Sequence, residues 1–430
     1  MDKKILGLAI PNIISNLSVP LLGMIDTALM GHLGNEDQIG AIALGGVIFS
    51  FIYWGFGFLR MGTTGLTAQA LGSKNQSETI AILIRGLIVA LSMATLVFAL
   101  QVPIGKLSFF IINGSPEVEK YASQYFFIRI YAAPATLCLY AFHGWFLGMQ
   151  NSKIPMFLTI FGSLANIGFN LFFIFGWGML SDGVAWGTVL AQYSTLLVAL
   201  WFFRKKFVGY LSHISMHAIK NVEQLTRFFK VNSDIFIRTL CLVFTLSFFT
   251  AKSAEFGDLT LAGNSILLIL FNMIAYGVDG FAFAAESLVG KAYGEKDKKQ
   301  LQTVIKRTFL MSLGLAIFFS LVFLIAGKNV LYLFTDKEDI IKAALPFLPW
   351  IIIAPLINAF PFIWDGVFIG LTRTKPMRNT MVLSTFLLFL PIYYFTQPIL
   401  GNHSLWLAMT IFMLGRGLGL TFYYRFRRSE

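Results

Sequence analysis

The sequence predicts an all-α, polytopic membrane protein: twelve transmembrane helices in two six-helix parallel repeats, an N-lobe and a C-lobe around a central cleft. Three observations carry this. Hydrophobic residues make up 57% of the 430-residue chain and charged residues only 13%, against about 25% charged in ordinary soluble domains; mean hydropathy is +0.73. Apolar segments recur at the length a bilayer demands, roughly 20 residues per helix. Loop motifs recur at one fixed spacing along the chain.

The segments fall near 5–31, 41–67, 82–105, 121–147, 156–178, 183–203, 233–251, 260–288, 308–326, 341–369, 379–399 and 404–424. Glycine is frequent, with 38 residues, which suits close helix–helix packing in lipid. With the N-terminus inside, the inner loops and tails hold 23 of the 33 Lys and Arg. The outer loops hold six: Lys106, Lys120, Lys252, Lys328, Lys337 and Lys342. Arg60, Arg129, Arg238 and Arg416 lie within spans. The positive-inside rule then sets both termini in the cytoplasm; the membrane is expected to be a plasma membrane, the inner membrane of a bacterium. The net charge of +12 is read as this topology signal and as contact with lipid headgroups, not as nucleic-acid binding.

Cys138 and Cys241 sit in separate apolar runs, which predicts neither a disulfide framework nor a metal site. The first span is too long for a secretory h-region and no small-residue cleavage site follows it. A P-loop GxxxxGK[ST] is missing from the sequence, so ATP-driven pumping is not expected. The loops are short turns without nucleophile or metal-ligand spacing, so a membrane enzyme is not expected, and no catalytic residue, metal or cofactor is assigned.

The longest loop, 204–232, separates an N-lobe at 1–203 from a C-lobe at 233–430. QALGSKNQSE (69–78) after span 2 is matched by KAYGEKDKKQ (291–300) after span 8, 222 residues on. HGWFLGMQNSK (143–153) is matched by DGVFIGLTRTK (365–375) at the same spacing. Six spans per half is an even number, so both halves insert with one orientation. Transporters on this plan bind substrate near the midplane between the halves.

Ile5 to Met30 carries a single charge, Asp26. A carboxylate there is costly while ionised, and is relieved by a cation or by a proton. Burial favours its neutral form and water access its anion, so Asp26 is a candidate for proton coupling. Pro11 and Pro20 remove hydrogen bonds from span 1 and are expected to let it bend as Asp26 changes state. A structural ion pair with Arg129 is the alternative: at 1.5 Å per residue Asp26 lies roughly 30 Å, and Arg129 about 28 Å, above the inner helix ends.

At PNIISNLSVPLLGMIDTALMGHLG (11–34) in span 1, and in the paired glycine-ended motifs after spans 2 and 8, the chain resembles the multidrug and toxic compound extrusion (MATE) family. FLRMGTTGLTAQALG (58–72), RIYAAPATLCLYAFHGWFLGMQN (129–151) and DGFAFAAESLVGKAYG (279–294) resemble its DinF branch. The resemblance covers essentially the whole chain. It implies a secondary antiporter, working as a monomer, that expels small amphipathic or cationic compounds in exchange for H⁺ or Na⁺, with the lobes rocking about the cleft.

The resemblance also places Asn166 and Asn170 of span 5, which share a helix face, and Thr188 of span 6 beside Asp26; the alternative is that these side chains only join the helices by hydrogen bonds. The family carries Asp where this chain has Asn170. One carboxylate with two amides is a poor oxygen cage for a hard cation, which favours H⁺ over Na⁺. In the C-lobe, Arg238, Asp279, Glu286 and Asp365 are expected to form a polar network. Within it Arg238 would pair with Glu286 if spans 7 and 8 touch, and Asp279 would be a second protonation candidate. Arg60 is left open between closing the cytoplasmic side and binding acidic substrate. Arg416 is expected to snorkel along span 12, and His143 to pack.

A flippase for lipid-linked precursors is the competing reading. It calls for several cations gathered in the cleft, whereas the four intramembrane arginines are scattered and matched by Asp26, Asp279, Glu286 and Asp365.

Overall fold

In lipid an unpaired backbone amide has no water to turn to, so a chain this apolar must satisfy its hydrogen bonds within each segment. The computed structural model is accordingly helical, without strand among the described residues. These are 1–31, 36–111 and 115–426 for the backbone, and the same set without 19–31 and 36 for side chains.

The segments are numbered α1–α12. α1 is Asp2–Gly31. Eleven more, among the described residues, are long and apolar enough to cross a membrane. They are α2 Asp37–Gly72, α3 Gln76–Ala99, α4 Pro116–Gly148, α5 Lys153–Gly176, α6 Ser181–His213, α7 Val222–Ala254, α8 Asp258–Gly294, α9 Lys298–Tyr332, α10 Glu338–Gly370, α11 Thr374–Leu400 and α12 His403–Phe426. Most outrun the apolar windows read from sequence, because helices continue past the hydrocarbon into polar turns.

Prolines mark two of the irregular places. The 3₁₀ turn Ile130–Ala132 precedes Pro134 in α4, where the missing N–H leaves the Ile130 carbonyl without its i+4 donor. The π turn Ser384–Phe389 precedes Pro391 in α11, a register slip of the kind that relieves the same clash.

The chain forms two compact units. Unit A is Ile14–Thr226; unit B is Met1–Ile13 with Arg227–Glu430. The start of α1 therefore belongs with the C-terminal helices: a Cβ on Gly280 of α8 would fall 2.3 Å from the Ile13 side chain and 2.9 Å from the Ala9 carbonyl. Reciprocally, the first residues of α7, Val222 to Thr226, belong to unit A.

The repeat seen in the sequence is a repeat of packing. In unit A a Cβ on Gly144 of α4 would lie 2.3 Å from the Arg60 carbonyl of α2. In unit B a Cβ on Gly366 of α10 would lie 2.3 Å from the Ala282 carbonyl of α8. Gly148 and Gly370, one turn on, press against Thr64 and Glu286 backbone in the same way. These are small-xxx-small contacts that bring helix backbones together.

The turns repeat too. Lys74 and Lys296 share φ +57°, and Gln150 and Thr372 have φ +62° and +51°. Each closes a helix with a six-to-one bond, such as Asn75 N–H to Ala70 O at 3.0 Å and Asp297 N–H to Ala292 O at 3.1 Å. The next residue then caps the following helix: Asn75 Oδ1 accepts from Glu78 N–H, and Asp297 Oδ1 from Gln300 N–H, both at 2.9 Å. One helix stops and the next starts within three residues.

Candidate functional site

In unit A, α5 and α6 build a directional polar chain. Asn166 and Asn170 lie four residues apart on α5. Asn170 Nδ2 donates to Asn166 Oδ1, and Asn166 Nδ2 donates to Thr188 Oγ1 of α6, each at 3.0 Å. Thr188 in turn donates to Val184 O at 2.9 Å. All three side chains are buried. Gly187 makes the approach feasible, since a Cβ there would lie 2.0 Å from Asn170 Oδ1. The terminal hydroxyl points its only proton at a carbonyl, which fixes the sense of every bond behind it.

Asp26 and Pro20 are carried on α1, but their side chains lie outside the described residues. Pro11 is buried, and α1 runs through it as one helix. Arg129 makes contacts within unit A: its Nη1 donates to Tyr125 OH at 2.6 Å, and its guanidinium lies over the rings of Phe49 (4.9 Å) and Tyr125 (5.4 Å). Such contacts hold an arginine by cation–π attraction as well as by hydrogen bonding. Arg60 is half-buried on α2, within electrostatic reach of Tyr140 and His143 of α4.

Unit B holds a buried charge cluster. Asp365 Oδ2 on α10 accepts from Arg238 of α7 and from Arg416 of α12, the latter at 2.7 Å. Arg416 is 1% exposed, with Met413 Sδ 3.2 Å from its Nη1 and the Phe412 ring 5.4 Å from its guanidinium. Asp279 lies close enough to act on Arg416 electrostatically. Glu286 is buried on the same helix, α8.

Two expectations are corrected here. Arg238 pairs with Asp365, not Glu286: counting residues gives depth in the membrane, not the direction a side chain faces, and α10 offers its carboxylate at the right azimuth. Arg416 does not snorkel; it is turned inward because Asp365 awaits it. Arg238, Arg416 and Asp365 thus form one buried cluster in this unit, joining α7, α10 and α12.

Two further networks escaped the sequence reading. Asn264 and Asn402 exchange amide hydrogen bonds at 2.8 and 3.1 Å, joined by Ser253 and Trp406. Asp234 is buried and takes Arg378 at 2.8 Å and Thr374 at 2.9 Å. No group of three or more His, Cys, Asp or Glu gathers at metal-binding spacing among the described residues.

The MatE family profile matches residues 11–172 and 235–395. The chain is 38% identical over 426 residues to DNA damage-inducible protein F of Escherichia coli (strain K12), covering 99% of this chain and 92% of that one. It is 21% identical to multidrug export protein MepA of Staphylococcus aureus (strain NCTC 8325 / PS 47), covering 93% and 88%. Among solved structures, a MATE protein in the bent conformation aligns with TM-score 0.89 at 19% identity, covering 100% of this chain and 95% of that one. An outward-facing multidrug resistance MATE transporter of the MOP superfamily aligns with TM-score 0.89 at 20% identity, covering 99% and 96%.

Proposed function

Because the chain belongs to the MATE family of membrane transporters, and so is a transporter rather than an enzyme, we propose that it is an antiporter expelling amphipathic or cationic small molecules in exchange for H⁺. The observation that carries the choice of ion is the Asn170–Asn166–Thr188 chain. The chain offers neutral amide and hydroxyl oxygens with no carboxylate among its three side chains, while a hard cation such as Na⁺ is held best by anionic oxygen. A neutral set of this kind suits coupling by a group that exchanges a proton. Asp26 is that group in this reading, with Pro11 and Pro20 letting α1 bend as its charge changes. The protein would work as a monomer in a bacterial inner membrane with both termini in the cytoplasm, and needs no cofactor beyond the coupling ion.

The flippase alternative is disfavoured by the state of the arginines. Arg238 and Arg416 are both engaged by Asp365, which leaves neither as a bare cation for a pyrophosphate. Efflux of ethidium from proteoliposomes under an imposed pH gradient alone, or an imposed Na⁺ gradient alone, tests the reading. Export driven by the pH gradient and indifferent to Na⁺ is expected. Export that answers only to Na⁺, or no export of ethidium, overturns it.

A further inference from the structure

The connector between the two halves, read from sequence as a loop, is docked over most of its length on unit A. α6 carries it on as far as His213. Phe207 and Tyr210 seat their rings 5.0 and 6.0 Å from Trp145 of α4. Trp145 is itself fully buried and donates Nε1–H to Thr79 O at 2.9 Å. A single helical turn, Met216–Ile219, follows, with Ser215 at its N-cap.

The C-terminal carbonyls of that turn point at Arg85 of α3. Arg85 is 2% exposed. Nη1 and Nη2 hold Glu78 in a fork at 2.7 and 3.2 Å. Nε donates to Ile219 O at 3.2 Å, and Nη2 also donates to Ala218 O. A planar guanidinium can serve a carboxylate and two carbonyls at once, which an ammonium cannot do in one geometry. Asn221 Oδ1 then caps α7 by accepting from Gln224 N–H at 3.0 Å. Only Lys220 and Asn221 stand outside helix between the clamped turn and α7.

We propose that Arg85 is a positioning residue for transport. It makes the connector as far as Ile219 a fixed part of unit A, so that α7 starts two residues beyond a clamped turn instead of from slack chain. The repeat supplies an internal control. Arg307 of α9 stands 222 residues further on and lies 3.6 Å from Asp2 at the start of α1, but both partners are half-exposed. Water and salt screen such a pair, so the same position in unit B is a weak version of the device.

The test uses the full-length protein in lipid, with Arg85→Ala, Arg85→Lys and Arg307→Ala, reading trypsin cleavage after Lys220 and ethidium efflux. Cleavage follows the population of the opened connector, so Arg85→Ala is expected to speed it by about tenfold or more. Turnover is expected to fall by about threefold or more with the half-saturating ethidium concentration unchanged, since binding is not touched. Arg85→Lys keeps the charge against Glu78 and should give a smaller rise and fall of the same kind; Arg307→Ala should move neither readout. Cleavage at the wild-type rate in both Arg85 variants, an equal rise in Arg307→Ala, or faster cleavage with unchanged turnover each overturns the proposal. If Arg85→Ala does not fold, Arg85→Lys decides by the same criteria. The inference rests only on the transporter class. Should the wild-type protein fail to move ethidium, that failure belongs to the substrate reading above, and Lys220 cleavage decides this one alone.

Discussion

Arg416 Nη2 stands 2.7 Å from Asp365 Oδ2, with both side chains closed off from solvent. The same oxygen holds Arg238. One carboxylate oxygen therefore serves two desolvated cations at once, and the cluster is centred on it.

Asp365→Asn leaves two buried guanidinium groups facing an amide. Breaking a buried pair by removing one partner costs about 3–5 kcal/mol, and this change removes the partner of two. A large drop in thermal stability in detergent is expected, exceeding that of Arg416→Met, which removes one cation and leaves the Arg238–Asp365 pair intact. Equal losses in the two variants would show that Asp365 is not the centre of the cluster.

The glycine contacts make a prediction of opposite signs. Gly144→Ala and Gly366→Ala each drive a Cβ to 2.3 Å from a neighbouring backbone oxygen, and neither helix can yield by rotating a side chain. Overpacking of this sort costs about 1–3 kcal/mol. Gly168 on α5 has nothing within 4 Å of its Cβ position. Gly168→Ala is expected to stabilise the helix by roughly 0.5–1 kcal/mol. Thermal unfolding of the three single variants checks both directions.

The spans, the repeat and the paired turns were legible in the sequence because each is a local signal: apolar length, loop composition, and a glycine kept wherever two backbones touch. The charge cluster was legible only as an inventory. A span shows that Arg238 and Arg416 are deep in the membrane, but their partner depends on the azimuth at which α7, α10 and α12 face one another, and residue counts do not encode that. Arg85 was hidden for a different reason. It sits among the inner-side cations that set topology, and nothing in its neighbourhood of sequence announces carbonyls more than a hundred residues away.

The four left-handed turn positions give a prediction without any contact. Lys296 adopts φ +57°, where an L side chain costs about 1–2 kcal/mol and glycine almost nothing. Lys296→Gly is expected to hold or modestly raise thermal stability, and Lys296→Val to lower it because a β-branched residue fits that region worse. If valine is tolerated as well as glycine, the turn does not constrain the junction between α8 and α9.

Thr188 closes the polar chain of unit A, so its two nearest replacements should separate. Thr188→Val keeps the shape and removes the oxygen, leaving Asn166 Nδ2 buried with no acceptor there; such a loss costs about 1–3 kcal/mol. Thr188→Ser keeps the oxygen and should stay close to wild type. Thermal unfolding and pH-driven ethidium efflux, measured together, are expected to fall in the valine variant and to be largely retained in the serine variant. A valine variant as active and stable as the serine one would mean that the hydroxyl is packing only.

The proton reading turns on whether a neutral group can replace Asp26. Asparagine matches aspartic acid in size and hydrogen-bonding reach but cannot gain or lose a proton, and it spares the helix the cost of a charge within the bilayer. Asp26→Asn is therefore expected to insert and fold at least as well as the wild type, and yet to leave ethidium at the level of passive leak under a pH gradient. Its companion, Asn170→Asp, places a second carboxylate on the face of α5 that the amides now occupy. More anionic oxygen favours a hard cation, so that variant is expected to gain a response to an imposed Na⁺ gradient. Uphill export by Asp26→Asn would remove the first span from the coupling step altogether. Export by Asn170→Asp that stays blind to Na⁺ would show that this face of α5 does not choose the ion.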